Sequence, residues 1–161
     1  MALPISIILA VFISYVAFFI KKRMSFLLNS ILFMLMVVAT RNYITIMSLQ
    51  LKNIETTKDQ FLFLFLLIHR EIIIPLLVLI FCNLYLLSKG WRKKLGVSIL
   101  ILGTLQAMDV LSIYFKVEKF LKWNILSDLI INIGYMVIGL GLSKLLLFLS
   151  KREGKKHERS L

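Results

Sequence analysis

The stretch Phe61–Leu87, "FLFLFLLIHREIIIPLLVLIFCNLYLL", decides how the chain must be read. Nearly all of it is Leu, Ile, Val and Phe, and it exceeds the roughly 20 apolar residues that cross a bilayer core as a helix. His69, Arg70 and Glu71 nevertheless stand side by side within it, with Pro75 one turn later. A charged side chain facing lipid at mid-helix costs roughly 2.5–3.5 kcal/mol even on a lenient scale, so these groups are expected to face other helices. Neighbours on a helix point about 100 degrees apart, so Arg70 and Glu71 must each look to a different partner. Pro75 has no N–H to give, which predicts an interrupted helix and a freed carbonyl at Glu71.

Further apolar runs flank this one at residues 4–20, 25–48, 95–115 and 125–150. With 60% hydrophobic residues in 161 and a mean hydropathy of +0.90, the composition lies outside the range of a soluble domain. The expected fold class is an all-α membrane protein, a five-transmembrane-helix bundle forming one domain over residues 1–150, with a basic tail at 151–161. No repeat period is evident. The first run lacks a basic leader and a cleavage site, so it is expected to remain as an anchor. Cys82, the one cysteine, lies inside the third run and reads as a small buried hydrophobe.

Lys and Arg are retained on the cytoplasmic side, and their distribution predicts the topology. Lys21, Lys22 and Arg23 follow the first run; Lys89, Arg92, Lys93 and Lys94 follow the third; Lys151, Arg152, Lys155, Lys156 and Arg159 follow the fifth. With five spans all fall on one side. The other side carries Lys52 and Lys58 with Glu55 and Asp59, then Lys116, Lys119 and Lys122 with Glu118. The N-terminus is therefore expected outside and the C-terminus in the cytoplasm. Basic residues beside spans are attracted to anionic head groups at about 1 kcal/mol each, which accounts for the net charge of +12. Nucleic acid is not an expected partner, since the tail "SKREGKKHERSL" carries no aromatic interleaving. Trp91 and Trp123 suit the interfacial belt.

Counting about 1.5 Å per residue, the buried polar residues share one layer in the outer half. Arg41 and Asn42 come from the second span, His69, Arg70 and Glu71 from the third, Gln106 and Asp109 from the fourth, and Asp128 and Asn132 from the fifth. Expected pairs are Glu71 with Arg41, and Arg70 with Asp109 or Asp128. On the fifth span Asp128, Asn132, Tyr135, Gly139 and Ser143 form one stripe, and on the second Ser30, Met34, Val37, Arg41, Thr45 and Ser48 form another. Both are expected to face the bundle. Gly103 and Ala107 are expected to let a neighbouring helix approach closely.

Three carboxylates against two arginines leave a surplus negative charge unless His69 is protonated or a cation binds; if Glu71 carries it, Glu71 is expected to change charge state in a proton- or cation-handling role. No H-E-x-x-H, G-x-S-x-G, phosphate loop or zinc spacing occurs, and no cofactor or metal is expected. The reading is a small non-enzymatic sensor, immunity-type or accessory subunit of a prokaryotic plasma membrane. Its expected partners are anionic lipid and another membrane protein or a second copy. The alternatives are a proton- or cation-coupled small-solute transporter, and an intramembrane hydrolase or lipid-modifying enzyme using Glu71, Asp109 and Asp128.

Overall fold

Helix α3 (Gln60–Leu87) is the axis around which the other helices pack. It starts at Asp59, whose Oδ1 accepts from the N–H groups of Phe61 and Leu62 at 2.8 and 3.2 Å, pairing two of the donors that a helix start leaves open. It is α-helical over Gln60–Leu67, widens to a π-helical turn over Ile68–Ile73, and resumes as α-helix over Ile74–Leu87. Within the wide turn the Ile74 N–H reaches back to the His69 carbonyl, one residue further than in an α-helix. Pro75 then falls in the first turn of the resumed helix, where a missing N–H costs least. The interruption is thus a wide turn before the proline, not a break at it.

The structure, a computed structural model, describes residues 2–46, 54–56, 59–120 and 124–158, with the backbone alone at 44, 54–56, 118–120 and 153–158. Ser48, Lys52, Lys58, Lys122, Trp123 and Arg159 lie outside the described residues, as do the side chains of Glu55, Glu118, Lys119, Lys155 and Lys156.

Around α3 stand α1 (Ala2–Phe19), α2 (Phe26–Thr45), α4 (Trp91–Tyr114) and α5 (Ile125–Glu158), the last continuing helical through the start of the basic tail. All five helices are long and apolar enough to cross a membrane. Of the most apolar 18-residue stretch of α3, 61% is buried, against 22–28% for the corresponding stretches of the other four, which makes it the centre of the bundle. The core runs along its length: Leu32 and Met36 of α2, Ile73, Val78 and Phe81 of α3, Leu105 of α4 and Tyr135 of α5. The outer surface is apolar too, with Phe12, Phe26, Ile99, Leu126, Ile130 and Val137 exposed. Water would not tolerate such a belt, whereas hydrocarbon does.

At one end a short antiparallel ribbon, β1 (Ile54–Thr56) with β2 (Glu118–Phe120), clips the α2–α3 connection to the α4–α5 connection, with Glu55 opposite Lys119. The α4 end prepares it. Lys116 adopts φ 56, the Lys116 N–H reaches Ile113 O at 2.9 Å and the Val117 N–H reaches Ser112 O at 3.0 Å, a left-handed helix stop that buries the Val117 side chain. Gly90, at φ 87, makes the turn from α3 into α4 at the other end, a conformation that L side chains rarely adopt.

Two expected contact faces are corrected. On α2 the stripe Ser30, Met34, Val37, Arg41 and Thr45 faces outward or half outward, while Asn29, Leu32, Met36 and Thr40 are buried. Leu32 and Met36 offer more apolar surface to the core, and Thr40 satisfies its hydroxyl on the carbonyls of Met36 and Val37 at 3.0 Å each. Gly103 and Ala107 are exposed, and a Cβ on Gly103 would meet nothing within 4 Å. The close approach is at Gly139 instead, where a Cβ would lie 2.5 Å from Val78 Cγ1 and 3.2 Å from Cys82 Sγ.

Gly139→Ala is therefore expected to lower stability by about 1–3 kcal/mol, the usual cost of overpacking. Gly103→Ala should be neutral or mildly stabilising. Thermal unfolding of both variants in one detergent checks this, and equal melting temperatures for the two would contradict the α3–α5 contact.

Candidate functional site: a buried charge cluster

Near the ribbon end, α3, α4 and α5 converge on one carboxylate. Asp109 Oδ1 accepts from His69 Nε2 at 3.1 Å and lies 3.6 Å from Arg70 Nη1, while Oδ2 accepts from Asn132 Nδ2 at 2.7 Å. The sequence places these groups by helical spacing. Asp109 sits less than two turns before the end of α4, and Asp128, Asn132 and Tyr135 descend one face of α5 in steps of four and three. His69, Arg70, Asp109, Asp128, Asn132 and Tyr135 are each at most 4% exposed.

Aromatic rings wall the cluster. The Phe65 ring stacks on the His69 imidazole with centroids 6.0 Å apart, and the Arg70 guanidinium lies 5.9 Å from the Tyr43 ring centroid. Tyr43 meets Tyr135 edge to face at 5.9 Å. Arg70, Tyr43, Asp109 and Asp128 all lie within electrostatic reach of the Tyr135 hydroxyl. Among the described residues, the Tyr135 hydroxyl, Asn132 Oδ1 and Gln106 Oε1 are buried without a hydrogen-bond partner in the protein. Unfilled acceptors in a low-dielectric interior are costly, so this corner suits a water, a proton-bearing group or a small cation.

The remaining expected site residues are placed apart. Arg41 forms an ion pair with Glu71, but its side chain is 67% exposed and that of Glu71 is 28% exposed, so the pair lies on the rim. Asn42 is exposed and does not enter the cluster. Arg41 and Asn42 lie within the last turn and a half of α2, where a long polar side chain can turn out of the bundle. Arg41 and Glu71 balance each other at the rim, and the charged side chains buried among the described residues are Arg70, Asp109 and Asp128, with Arg70 Nη1 3.6 Å from Asp109 Oδ1.

A second polar site, at the basic end, is built from amides that charge counting passes over. Asn83 Oδ1 accepts from the backbone N–H of Arg23 and of Met24 at 2.9 and 3.4 Å, and Asn83 Nδ2 donates to Asn29 Oδ1 at 2.8 Å. Asn29 Nδ2 in turn donates to the carbonyls of Met24 and Ser25 at 3.0 Å each. The α1–α2 connection is thereby fastened to α3. Its signal in the sequence is a lone amide in "LIFCNLYLL" and another four residues after Ser25. Of the basic residues, Lys21, Arg23, Lys89, Arg92, Lys93, Lys151 and Arg152 are exposed, and Lys22 and Lys94 are half-buried. Lys94 Nζ lies 5.1 Å from the Tyr85 ring centroid.

No family model, curated protein or solved structure matches this chain.

Proposed function

We propose that this chain is a non-enzymatic sensor, immunity-type or accessory subunit of a prokaryotic plasma membrane, with its N-terminus outside. Its responsive element is the buried group of His69, Arg70, Asp109 and Asp128. The observation that carries this is the gathering of a buried imidazole, a buried guanidinium and a buried amide from two other helices on one carboxylate, Asp109, with a further carboxylate, Asp128, also buried. A carboxylate that shares its buried oxygens with an imidazole, in a low-dielectric bundle, is a group suited to responding to a proton or a cation. Imidazole is the side chain suited to switching charge near neutral pH. The titratable and charged groups around it are Tyr43 and Arg41 from α2, Arg70 and Glu71 from α3, Asp109 from α4, and Asp128 and Tyr135 from α5.

A second reading, a proton- or cation-coupled transporter, is favoured by the π-helical turn at the cluster and by the unfilled oxygens of Gln106, Asn132 and Tyr135. One pair of measurements separates the two. Affinity purification from the native membrane, in a mild detergent, is expected to retain a second membrane protein in fixed stoichiometry. The purified chain alone in liposomes is expected to carry no proton or sodium flux above that of Asp109→Asn. Flux by the wild type that Asp109→Asn abolishes would overturn the sensor reading in favour of transport.

A further inference from the structure

The helices α1 and α2 pack more on α3 than on each other, and between them runs a side groove of about 330 Å³. Its walls include Phe18 and Phe33, its floor is Leu76 and Leu79 of α3, and Lys22 stands at its basic end. The groove is open along its side, the direction from which a lipid chain would enter. The volume lies at the lower end of the range for small-ligand clefts, ~300–1,000 Å³. We infer that it holds an acyl chain of one anionic glycerophospholipid, whose phosphate is taken by Lys22. This rests on the membrane reading of the chain and goes beyond the charge cluster, which lies at the opposite end.

Two independent observations support the occupant. The first is charge: Lys22 is the half-buried member of the run Lys21, Lys22, Arg23, and its Nζ lies 5.1 Å from the Phe18 ring centroid, so the cation is held over the groove wall. A phosphate at that point meets a positive charge with its chain already against apolar side chains, which a zwitterionic head group matches less well. The second is order: Asn83 and Asn29 fix the Arg23–Ser25 backbone, so the basic turn is preorganised beside the groove. Preorganisation of this kind lowers the ordering cost of binding.

Native mass spectrometry and thermal shift of the full chain in detergent test this, with phosphatidylglycerol and phosphatidylcholine of identical acyl chains as probes. The wild type is expected to retain one phosphatidylglycerol and to be stabilised by it more than by phosphatidylcholine. Lys22→Gln should weaken that binding roughly fivefold or more. Ser30→Trp, at the half-exposed groove wall, should abolish it by filling the space. Arg92→Gln, which removes an equal charge at the same end of the bundle but away from the groove, should weaken it markedly less than Lys22→Gln. Equal stabilisation by the two lipids, or equal loss in Lys22→Gln and Arg92→Gln, would overturn the site and leave only diffuse attraction. Incorporation into vesicles, measured by flotation, tests the membrane reading separately, so a protein that inserts without lipid preference refutes the groove alone.

Discussion

Asp109→Ala is expected to cost about 3–5 kcal/mol of stability, more than any other single substitution in the cluster. Asp109 is the one group that holds His69, Arg70 and Asn132 together, and all of them are buried. Removing it takes an ion-pair partner from a buried guanidinium and a hydrogen-bond partner from two buried side chains. Ordinary interhelical hydrogen bonds in membranes average about 0.6 kcal/mol, so a loss of several kcal/mol distinguishes a broken buried ion group from lost polar glue. The rim pair supplies the contrast. Arg41 is 67% exposed, so Arg41→Ala should cost under about 1 kcal/mol, and Glu71→Ala on top of it should add little. Thermal or denaturant unfolding of the four proteins in one detergent gives the comparison. Equal losses in Asp109→Ala and Arg41→Ala would contradict the placement of Asp109 in the interior and of Arg41 at the rim.

Asn83→Leu carries the second large effect, expected at about 2–3 kcal/mol. The substitution is close in size, but it strips the acceptor from the N–H groups of Arg23 and Met24 and the donor from Asn29 Oδ1. Met24 is buried, so its amide finds no water to replace the loss. Arg23 is exposed and recovers part of it, which keeps the estimate below the sum of three full penalties. Backbone hydrogen exchange reports the change directly. The amides of Arg23 and Met24 should be protected in the wild type and exchange faster in Asn83→Leu, while those of α4 stay unchanged. Wild-type protection in the variant would show that the turn is held by its own backbone.

The five helices are legible in the sequence because apolar length alone marks them, and their ends fall within a few residues of those read from composition except at the C-terminal end of α5, which runs on to Glu158. The α5 face is also legible: Asp128, Asn132, Tyr135, Gly139 and Ser143 recur at helical spacing among Leu, Ile and Val, and all five are buried. The α2 face is not. Both of its sides are apolar, so polar residues are the only guide, and Arg41 near the helix end is free to turn outward. The central place of α3 is hidden for the same reason, since a helix surrounded by helices and a helix surrounded by lipid are both apolar all round. The His69–Asp109 contact depends on which helices are neighbours, information that spacing within one helix does not hold. The Asn83–Asn29 fastening escapes because amides carry no charge to make their burial conspicuous.

The central proposal is that the buried group around Asp109 responds to protons or cations. The chain has two histidines, so in His157→Gln protein labelled at the imidazole nitrogens the NMR signal belongs to His69 alone. Followed across the pH range in which the bundle stays folded, the His69 nitrogen signals are expected to report a change of charge state within the cluster, and Asp109→Asn is expected to alter that response. A His69 signal that holds one charge state throughout that range, in the wild type and in Asp109→Asn alike, would contradict a switching site and make the cluster a fixed structural contact.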